Sequence, residues 1–309
     1  MELVHGLHNL RERHKGCVLT IGKFDGVHLG HKAVLTQLIA QARKRNLPAS
    51  VMVFEPQPEE VFMPDAAPAR LSTLRDKYLA LRDLGIDRLI CVKFNSAFAS
   101  QSPETFTQQL LVAKLGVEFL VIGDDFRFGK GRAGDFAMLE RAGIANGFSV
   151  VNTQSLLMAD CRVSSTAVRE ALERGDFTTA AAMLGRPFSI AGKVVHGEKR
   201  GRTIGFPTAN VLLKRLKAPI SGVFAVQVTL GERVYAGVAN IGHRPTVNGT
   251  RAQLEVHVFQ FNEELYGQRI EVIPLAKLRD EQKFDSFEDL KEQIIEDAEH
   301  AKRVIASTI

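Results

Sequence analysis

The sequence of 309 residues predicts an α/β protein: a doubly wound parallel sheet, then a small antiparallel β-barrel domain and a C-terminal helix. Three observations support this prediction. The length favours two domains over one core. Apolar runs alternate with helical patterns in the first half, as a parallel sheet with crossover helices requires. After about Gly185, strands follow one another through tight turns, which is typical of a small barrel. We therefore predict domains over residues 1–185 and 186–309.

The first half contains five apolar runs that predict strands, at residues 18–21, 51–54, 88–93, 119–122 and 148–151. A helix is expected between about residues 30 and 44. Ser72 or Thr73 can cap a second helix that Gly85 ends, and Ser102 followed by a proline starts a third that runs to Gly116. Five parallel strands with intervening helices form an open sheet.

The second half continues with strands at residues 224–230, 233–239, 253–261 and 270–274. Gly231 and Glu232 form a two-residue hairpin connection, with glycine where a type II′ turn demands it. Ser286 caps a closing helix whose apolar stripe contains Leu290, Ile294, Ile295 and Ala298.

The composition excludes several classes of protein. Lys and Arg number 40 against 35 Asp and Glu, which is too even a balance to make nucleic acid the leading partner. No run of 18 apolar residues exists, so we expect no membrane span and a cytoplasmic location. Cys17, Cys91 and Cys161 are scattered, which favours neither disulfides nor a zinc site. Residues 186–217 are strongly basic, and this stretch either meets an anion or is a solvated surface.

The segment at residues 22–31 follows a strand and opens a helix, where phosphate ligands bind α/β sheets. Gly22 and Gly26 allow the backbone to turn closely around a ligand. His28 and His31 can donate hydrogen bonds to a triphosphate as charge develops at its α phosphorus. The alternative is a pair of ordinary surface histidines, and a zinc site is disfavoured because no third ligand follows.

Several motifs resemble known families. The pattern H-x-G-H at residues 28–31 resembles the signature of the Rossmann-like nucleotidylyltransferases. The longer G-x-F-D-G-x-H-x-G-H resembles the adenylyltransferase module of bacterial bifunctional riboflavin kinase/FAD synthetases. Residues 123–134 are similar to the flavin-side loop of that module, and residues 164–169 to its second nucleotide motif. Residues 192–210, 237–246, 254–259 and 278–284 resemble the riboflavin kinase module.

The resemblance implies roles for individual residues. It identifies His28 and His31 as the groups that stabilise charge during adenylyl transfer, and Glu255 as the base of the kinase. Glu255 shares one face of an alternating strand with His257 and Phe259; without the resemblance, an outward-facing surface glutamate is the favoured interpretation. Thr208 and Asn210 would bind Mg²⁺. The implied ATP ligands are Gly22, Phe24, Asp25, Gly30, Ser164, Ser165, Thr166, Arg169, Gly197, Gly201 and Arg202. The implied flavin ligands are Asp125, Phe126, Phe128 and Arg244.

The implied function is phosphorylation of riboflavin by ATP to FMN, followed by adenylyl transfer from ATP to FMN, giving FAD and pyrophosphate. We expect small-molecule substrates, Mg²⁺ as cofactor, no nucleic acid or membrane partner, and leave a weak homo-oligomer open. One departure from the family is Gln57, which stands where a histidine is usual and cannot carry a positive charge. The alternatives are an adenylyltransferase for a pantetheine or nicotinamide nucleotide, and a non-enzymatic RNA-binding protein.

Overall fold

The computed structural model describes residues 1–123, 125–153, 157–158, 161–196, 206–213, 215, 217–246 and 249–308. The chain forms two compact units. The sheet unit comprises Met1–Pro68 and Leu74–Ser164, and the barrel unit comprises Ala69–Thr73 and Ser165–Ile309. No helix in the described part of the chain is long and apolar enough to cross a membrane.

The sheet unit contains six parallel strands, one more than the sequence predicts. In chain order these are β1 (Glu2–His5), β2 (Cys17–Ile21), β3 (Ala49–Glu55), β4 (Arg88–Lys93), β5 (Val117–Gly123) and β6 (Ser149–Thr153). They are arranged in the order β1-β4-β3-β2-β5-β6. The five predicted strands are confirmed. The short edge strand β1 was not predicted, because only two of its four residues, Leu3 and Val4, are apolar.

Helices cover both faces of the sheet. They are α1 (Leu29–Arg45), α2 (Pro58–Phe62), α3 (Leu74–Asp83), α4 (Ser96–Ala99), α5 (Pro103–Thr105) and α6 (Phe136–Asn146). Ser102 caps α5 through its hydroxyl, which accepts a hydrogen bond from the backbone N–H of Thr105, as predicted. The chain then continues to Lys114 with wider, π-helical hydrogen bonding. A short antiparallel pair, β7 (Leu157–Met158) and β8 (Cys161–Arg162), follows β6.

The two faces of the sheet are buried in separate apolar cores. Leu19 and Leu120 point into one core, whereas Val18 and Val121 point into the other. The alternation explains why these strands are almost continuously hydrophobic, since a strand covered on both sides has no solvent face. The polar residues therefore cluster where the strands end.

The barrel unit begins with two helices, α7 (Ser165–Glu173) and α8 (Phe177–Leu184). A closed barrel follows, with β9 (Ile190–Val195), β10 (Ala209–Leu212), β11 (Gly222–Leu230), β12 (Arg233–Thr246), β13 (Gly249–Val258) and β14 (Arg269–Arg279). Its strand order is β10-β13-β12-β11-β14-β9, with all pairs antiparallel. The predicted hairpin joins β11 to β12, with Gly231 at φ +59°. The barrel prediction is confirmed.

The C-terminal helix, α9 (Phe287–Thr308), packs on the outside of the barrel. Ser286 caps it by accepting a hydrogen bond from the N–H of Asp289 at 3.0 Å, as predicted. Its buried contacts are Ala298, Ala301 and Ile305. The predicted stripe is therefore shifted toward the end of the helix, and Ile295 is exposed.

A bidentate ion pair attaches α9 to the end of β14. The Arg279 guanidinium donates to both carboxylate oxygens of Asp297 at 2.8–3.1 Å, and Asp297 is 6% exposed. Loss of one partner would leave a largely desolvated charge without its counter-ion.

We predict that Asp297→Asn lowers the free energy of unfolding of the barrel unit by about 2–4 kcal/mol. Denaturant unfolding followed by circular dichroism measures the change. Glu299→Gln is the matched control on the same helix, because the pair of Glu299 with Lys302 is solvent-exposed and should contribute less than about 1 kcal/mol. Equal effects of the two substitutions would contradict the prediction.

Candidate active sites

The turn between β2 and α1 has an unusual backbone. Phe24, Gly26 and Val27 all have positive φ, at +49°, +80° and +45°. Two of these are non-glycine residues, and the apolar burial of Phe24 and Val27 holds them in this conformation. Such strained backbone is found preferentially where a ligand is bound. Asp25 is also buried within this turn.

His28 is the N-cap of α1. Its Nδ1 accepts a hydrogen bond from the backbone N–H of His31 at 3.3 Å. In the neutral form the proton of His28 therefore resides on Nε2, which is the donor nitrogen of the ring. The two imidazoles stack, with ring centres 3.7 Å apart and planes inclined by 20°. The structure thus brings the two predicted histidines together.

Gly30 allows a second segment to approach this pair. A Cβ at Gly30 would lie 2.9 Å from the backbone carbonyl oxygen of Val163 and 3.1 Å from the ring of His28. A side chain would displace one or both. The glycine of the H-x-G-H motif is therefore required for packing, and it places Val163, directly before the Ser164 motif, beside the histidines.

His31 is a poor proton acceptor in this environment. Desolvation lowers the pKa of His31 well below its usual value, and the nearby basic residues His28, Lys77 and Lys23 lower it further. The ring of His31 is half-buried, but its Nδ1 is enclosed and has no hydrogen-bond partner among the described residues. His31 is thus neutral at pH 7, with a ring nitrogen left unsatisfied.

Gln57 supplies a second unsatisfied polar group. It lies beyond the end of β3, the neighbour of β2, and is the N-cap of α2. The side chain is 7% exposed, and Nε2 has no hydrogen-bond partner within the described part of the chain. A buried amide without a partner costs stability, which is a reason to expect that a ligand completes it.

A line of phenylalanines extends from the carboxyl ends of β3 and β4. Phe126 and Phe128, both predicted flavin ligands, stack with ring centres 5.7 Å apart. Phe106 contacts Phe128, and the line continues through Phe98, Phe94, Phe54 and Phe62. Phe62 is 62% exposed. The sequence did not single out five of these residues, because periodicity does not distinguish an aromatic binding surface from an ordinary core. They are Phe54, Phe62, Phe94, Phe98 and Phe106.

Asp125, the remaining predicted flavin ligand of the sheet unit, is exposed and lies 3.4 Å from the Arg162 guanidinium. Ser164 is the last residue of the sheet unit. Ser165 and Thr166 are the first two residues of α7 rather than capping residues before it. Arg169, one turn on, donates through Nε to the carbonyl oxygen of Ala69 at 2.6 Å within the barrel unit.

The barrel positions Glu255 on its outer face. Glu255 on β13 is directly opposite Asn210 on β10 and Asn240 on β12. The flanking residues Leu254 and Val256 are fully buried inside the barrel, so the predicted alternation is confirmed. The amide of Gln253 donates to Asn210 Oδ1 at 2.9 Å and to Glu255 Oε1 at 2.6 Å. The half-buried carboxylate is held in a polar network.

The segment before Asn210 is attached to the same face. His257 Nδ1 lies 2.9 Å from the carbonyl oxygen of Pro207, and its ring contacts Phe206 edge-on. Thr208 follows Pro207 directly and precedes β10, on which Asn210 is opposite Glu255. The predicted ATP ligands Gly197, Gly201 and Arg202 lie outside the described residues, as does the side chain of Arg244 on β12.

These two units define a class of protein. One presents neutral hydrogen-bond donors at a strand-to-helix turn of a parallel sheet, and the other presents a carboxylate and amides on a closed barrel. Both arrangements suit the transfer of phosphate groups between small molecules.

Comparison with known proteins agrees with this class. A family model described as FAD synthetase matches residues 10–167, and one described as riboflavin kinase matches residues 184–305. The chain is 51% identical, over 100% of its length and 99% of the relative, to the bifunctional riboflavin kinase/FMN adenylyltransferase of Escherichia coli strain K12. The chain belongs to the family of bifunctional riboflavin kinase/FMN adenylyltransferases.

Further relatives include the enzymes of the same description from Haemophilus influenzae, 52% identical over 98% of both chains, and Pseudomonas fluorescens, 49% identical over 99% and 98%. A crystal structure described as a macrolide-efflux protein from Streptococcus pneumoniae is similar over 96% of this chain and 97% of that chain. It has a TM-score of 0.78 at 30% identity.

The environment of His31 predicts a pH dependence of stability. Unfolded His31 takes up a proton below about pH 6.5 and folded His31 does not, so acid favours the unfolded state. We expect the free energy of unfolding of the sheet unit to fall, through His31 alone, by up to about 1.4 kcal/mol per pH unit below pH 6.5. The free energy of unfolding is measured as a function of pH for the wild type and for His31→Gln, and the difference between the two profiles gives the contribution of His31. Parallel pH profiles of the two proteins would contradict the prediction.

Proposed function

We propose that this chain phosphorylates riboflavin to FMN on the barrel unit and adenylylates FMN to FAD on the sheet unit. The observation that supports it best is the presence of two separate constellations, each on the unit that its family model matches. We retain the proposed domain ranges of 1–185 for adenylyl transfer and 186–309 for the kinase.

In the kinase step, the ribityl 5′-hydroxyl of riboflavin would attack the γ phosphorus of ATP. Glu255 would accept the hydroxyl proton as the new P–O bond forms, and ADP would leave. The hydrogen bond from Gln253 fixes one carboxylate oxygen, Oε1. The proposed base is thus positioned by its own strand.

Mg²⁺ is the cofactor that fits this face. Thr208 and Asn210 offer a hydroxyl and an amide oxygen, and Mg²⁺ prefers hard oxygen ligands while retaining water and nucleotide phosphates. The described residues contain no group of three or more His, Cys, Asp or Glu side chains arranged around a metal. We therefore propose a cation bound mainly through ATP, whose charge would stabilise the transferring phosphoryl group.

In the adenylyl transfer step, a phosphate oxygen of FMN would attack the α phosphorus of a second ATP, and the bond to the β phosphate would break. Pyrophosphate would leave. The Nε2–H of His28 and the ring of His31 would donate to the phosphoryl oxygens as charge develops. No covalent enzyme intermediate is needed, because the FMN phosphate is already an anionic nucleophile.

The line of phenylalanines supports a place for the isoalloxazine ring of FMN. Phe126 is part-buried next to Asp125 and stacks on the buried ring of Phe128, and Phe62 exposes most of its ring. Flat aromatic ligands gain stacking energy on such side chains. Gln57, with its unsatisfied Nε2, lies on the same polypeptide stretch as Phe54 and Phe62 and would donate to a phosphate or to the flavin edge.

The remaining site residues stay predictions. We propose that Gly22, Phe24, Asp25, Gly30, Ser164, Ser165, Thr166 and Arg169 contact ATP in adenylyl transfer, and that Gly197, Gly201 and Arg202 contact ATP in the kinase step. Arg244 is proposed as a ligand of riboflavin. A cytoplasmic location, the absence of nucleic-acid partners and a weak homo-oligomer also remain proposals.

We predict that Glu255→Gln abolishes FMN formation and leaves FAD formation from supplied FMN intact, because the carboxylate acts in one unit. His28→Ala should do the reverse, with a loss of about a hundredfold or more in FAD formation. Incubation of purified protein with ATP, Mg²⁺ and either riboflavin or FMN, followed by chromatography of the flavins, measures both activities. Equal loss of both activities in either variant would argue against separate sites.

A further inference from the structure

His257 has no part in the proposed kinase reaction, although it follows the proposed base on the same face of β13. Glu255 and His257 are half-buried on either side of Val256, which is fully buried inside the barrel. Nδ1 of His257 lies 2.9 Å from the carbonyl oxygen of Pro207. A carbonyl oxygen accepts and cannot donate, so Nδ1 carries the hydrogen of this bond. The imidazole therefore donates to the backbone of the segment that precedes β10.

Phe206 gives the same segment a second attachment. Its ring meets the imidazole of His257 edge-on, with ring centres 5.0 Å apart and planes inclined by 65°. Aromatic rings favour this arrangement. The side chain of Phe206 also packs against the apolar cluster that contains Ala301 and Ile305 of α9. The chain is thus held by a side chain at residue 206 and by a carbonyl at residue 207.

The register of the barrel shows which side chain these attachments place. Asn210 is directly opposite Glu255 in the antiparallel pairing of β10 with β13. Two residues earlier in the chain, Thr208 reaches the level of His257. Ala209 is buried, whereas Thr208 and Asn210 on either side of it are half-buried. The alternation therefore turns Thr208 and Asn210 toward the outer face of the barrel.

The strand pairing does not itself include Thr208. The pairing of β10 with β13 starts at Ala209 and continues to Val211. The bond from His257 to Pro207 and the ring contact with Phe206 therefore constrain the chain immediately before Thr208. A hydroxyl on a constrained backbone loses less conformational freedom when it binds a ligand than one on a mobile segment.

We propose that His257 is a positioning residue of the kinase, which holds the segment 206–208 so that the hydroxyl of Thr208 is presented to Mg²⁺ beside Asn210. The proposal rests on the proposed function of the barrel unit and adds a residue to it. His257 acts through the backbone of Pro207 and is not itself a ligand of the cation. Loss of its Nδ1 donor would weaken the binding of the nucleotide with its metal.

The test compares variants of the full-length protein. His257→Phe keeps a ring and removes the Nδ1 donor, whereas His257→Asn keeps a donor, because the amide nitrogen of asparagine lies close to the place of Nδ1. We expect the KM for MgATP in FMN formation to rise about threefold to tenfold in His257→Phe and to stay near the wild-type value in His257→Asn. His300→Asn removes an exposed histidine from α9 and should change nothing.

A double-mutant cycle determines whether His257 acts through Thr208. Thr208→Val removes the hydroxyl, and this substitution alone should raise the KM for MgATP. If His257 only positions that hydroxyl, the addition of His257→Phe to Thr208→Val should raise the KM no further. Additive increases in the two single variants and the double variant would overturn the proposal.

Hydrogen exchange of the unliganded protein gives a readout that does not depend on catalysis. Peptides that span residues 206–212 should exchange faster in His257→Phe than in the wild type, and His257→Asn should restore the wild-type rate. Unchanged exchange or an unchanged KM for MgATP in His257→Phe would overturn the proposal.

FAD formation from supplied FMN reports on folding, since it belongs to the other unit, and it should be the same in all variants. A parallel loss of FMN and FAD formation would show a general structural role and overturn the proposal. If His257→Phe does not fold, His257→Gln replaces it with the same expected results, because its amide donor lies closer to the place of Nε2. Absence of FMN formation by the wild-type protein would instead refute the proposed function itself.

Discussion

The hydrogen bond from the N–H of His31 to the ring of His28 is the interaction on which the adenylyl transfer site depends. It caps α1, selects the tautomer of His28 and brings the second imidazole into stacking contact. The preceding turn can accept its positive φ values because Phe24 and Val27 are buried in the sheet core. The cap of α1 and the packing of the preceding turn against the core thus together fix the arrangement of the two imidazoles.

In the barrel, the alternation of side chains along each strand fixes the positions of the polar site residues. Each strand contributes one set of residues to the interior, so the opposite set must face outward. Glu255 and Asn210 share the outer face because their strands pair in that register, and Gln253 joins the two side chains by hydrogen bonds. Here the scaffold supplies positions and the chemistry resides in a few polar side chains on its surface.

Charge is distributed differently in the two proposed sites. The sheet unit would bind its nucleotide with the ring of His28, the neutral imidazole of His31 and the unsatisfied amide of Gln57. The kinase would depend on a bound cation next to a carboxylate. A histidine at position 57 would add a titratable charge to the sheet unit, whereas Gln57 does not titrate.

The sequence by itself determined the two architectures, five of the six strands of the parallel sheet, four of the six strands of the barrel and the caps at Ser102 and Ser286, because these depend on local periodicity and short-range hydrogen bonds. It also singled out His28, His31 and Glu255 through motifs. Only the tertiary structure decided that β1 joins the sheet edge, that distant phenylalanines form one line, and that Nδ1 of His31 is enclosed without a partner among the described residues. Those facts depend on contacts between segments far apart in the chain, and no local pattern encodes which buried side chains will meet.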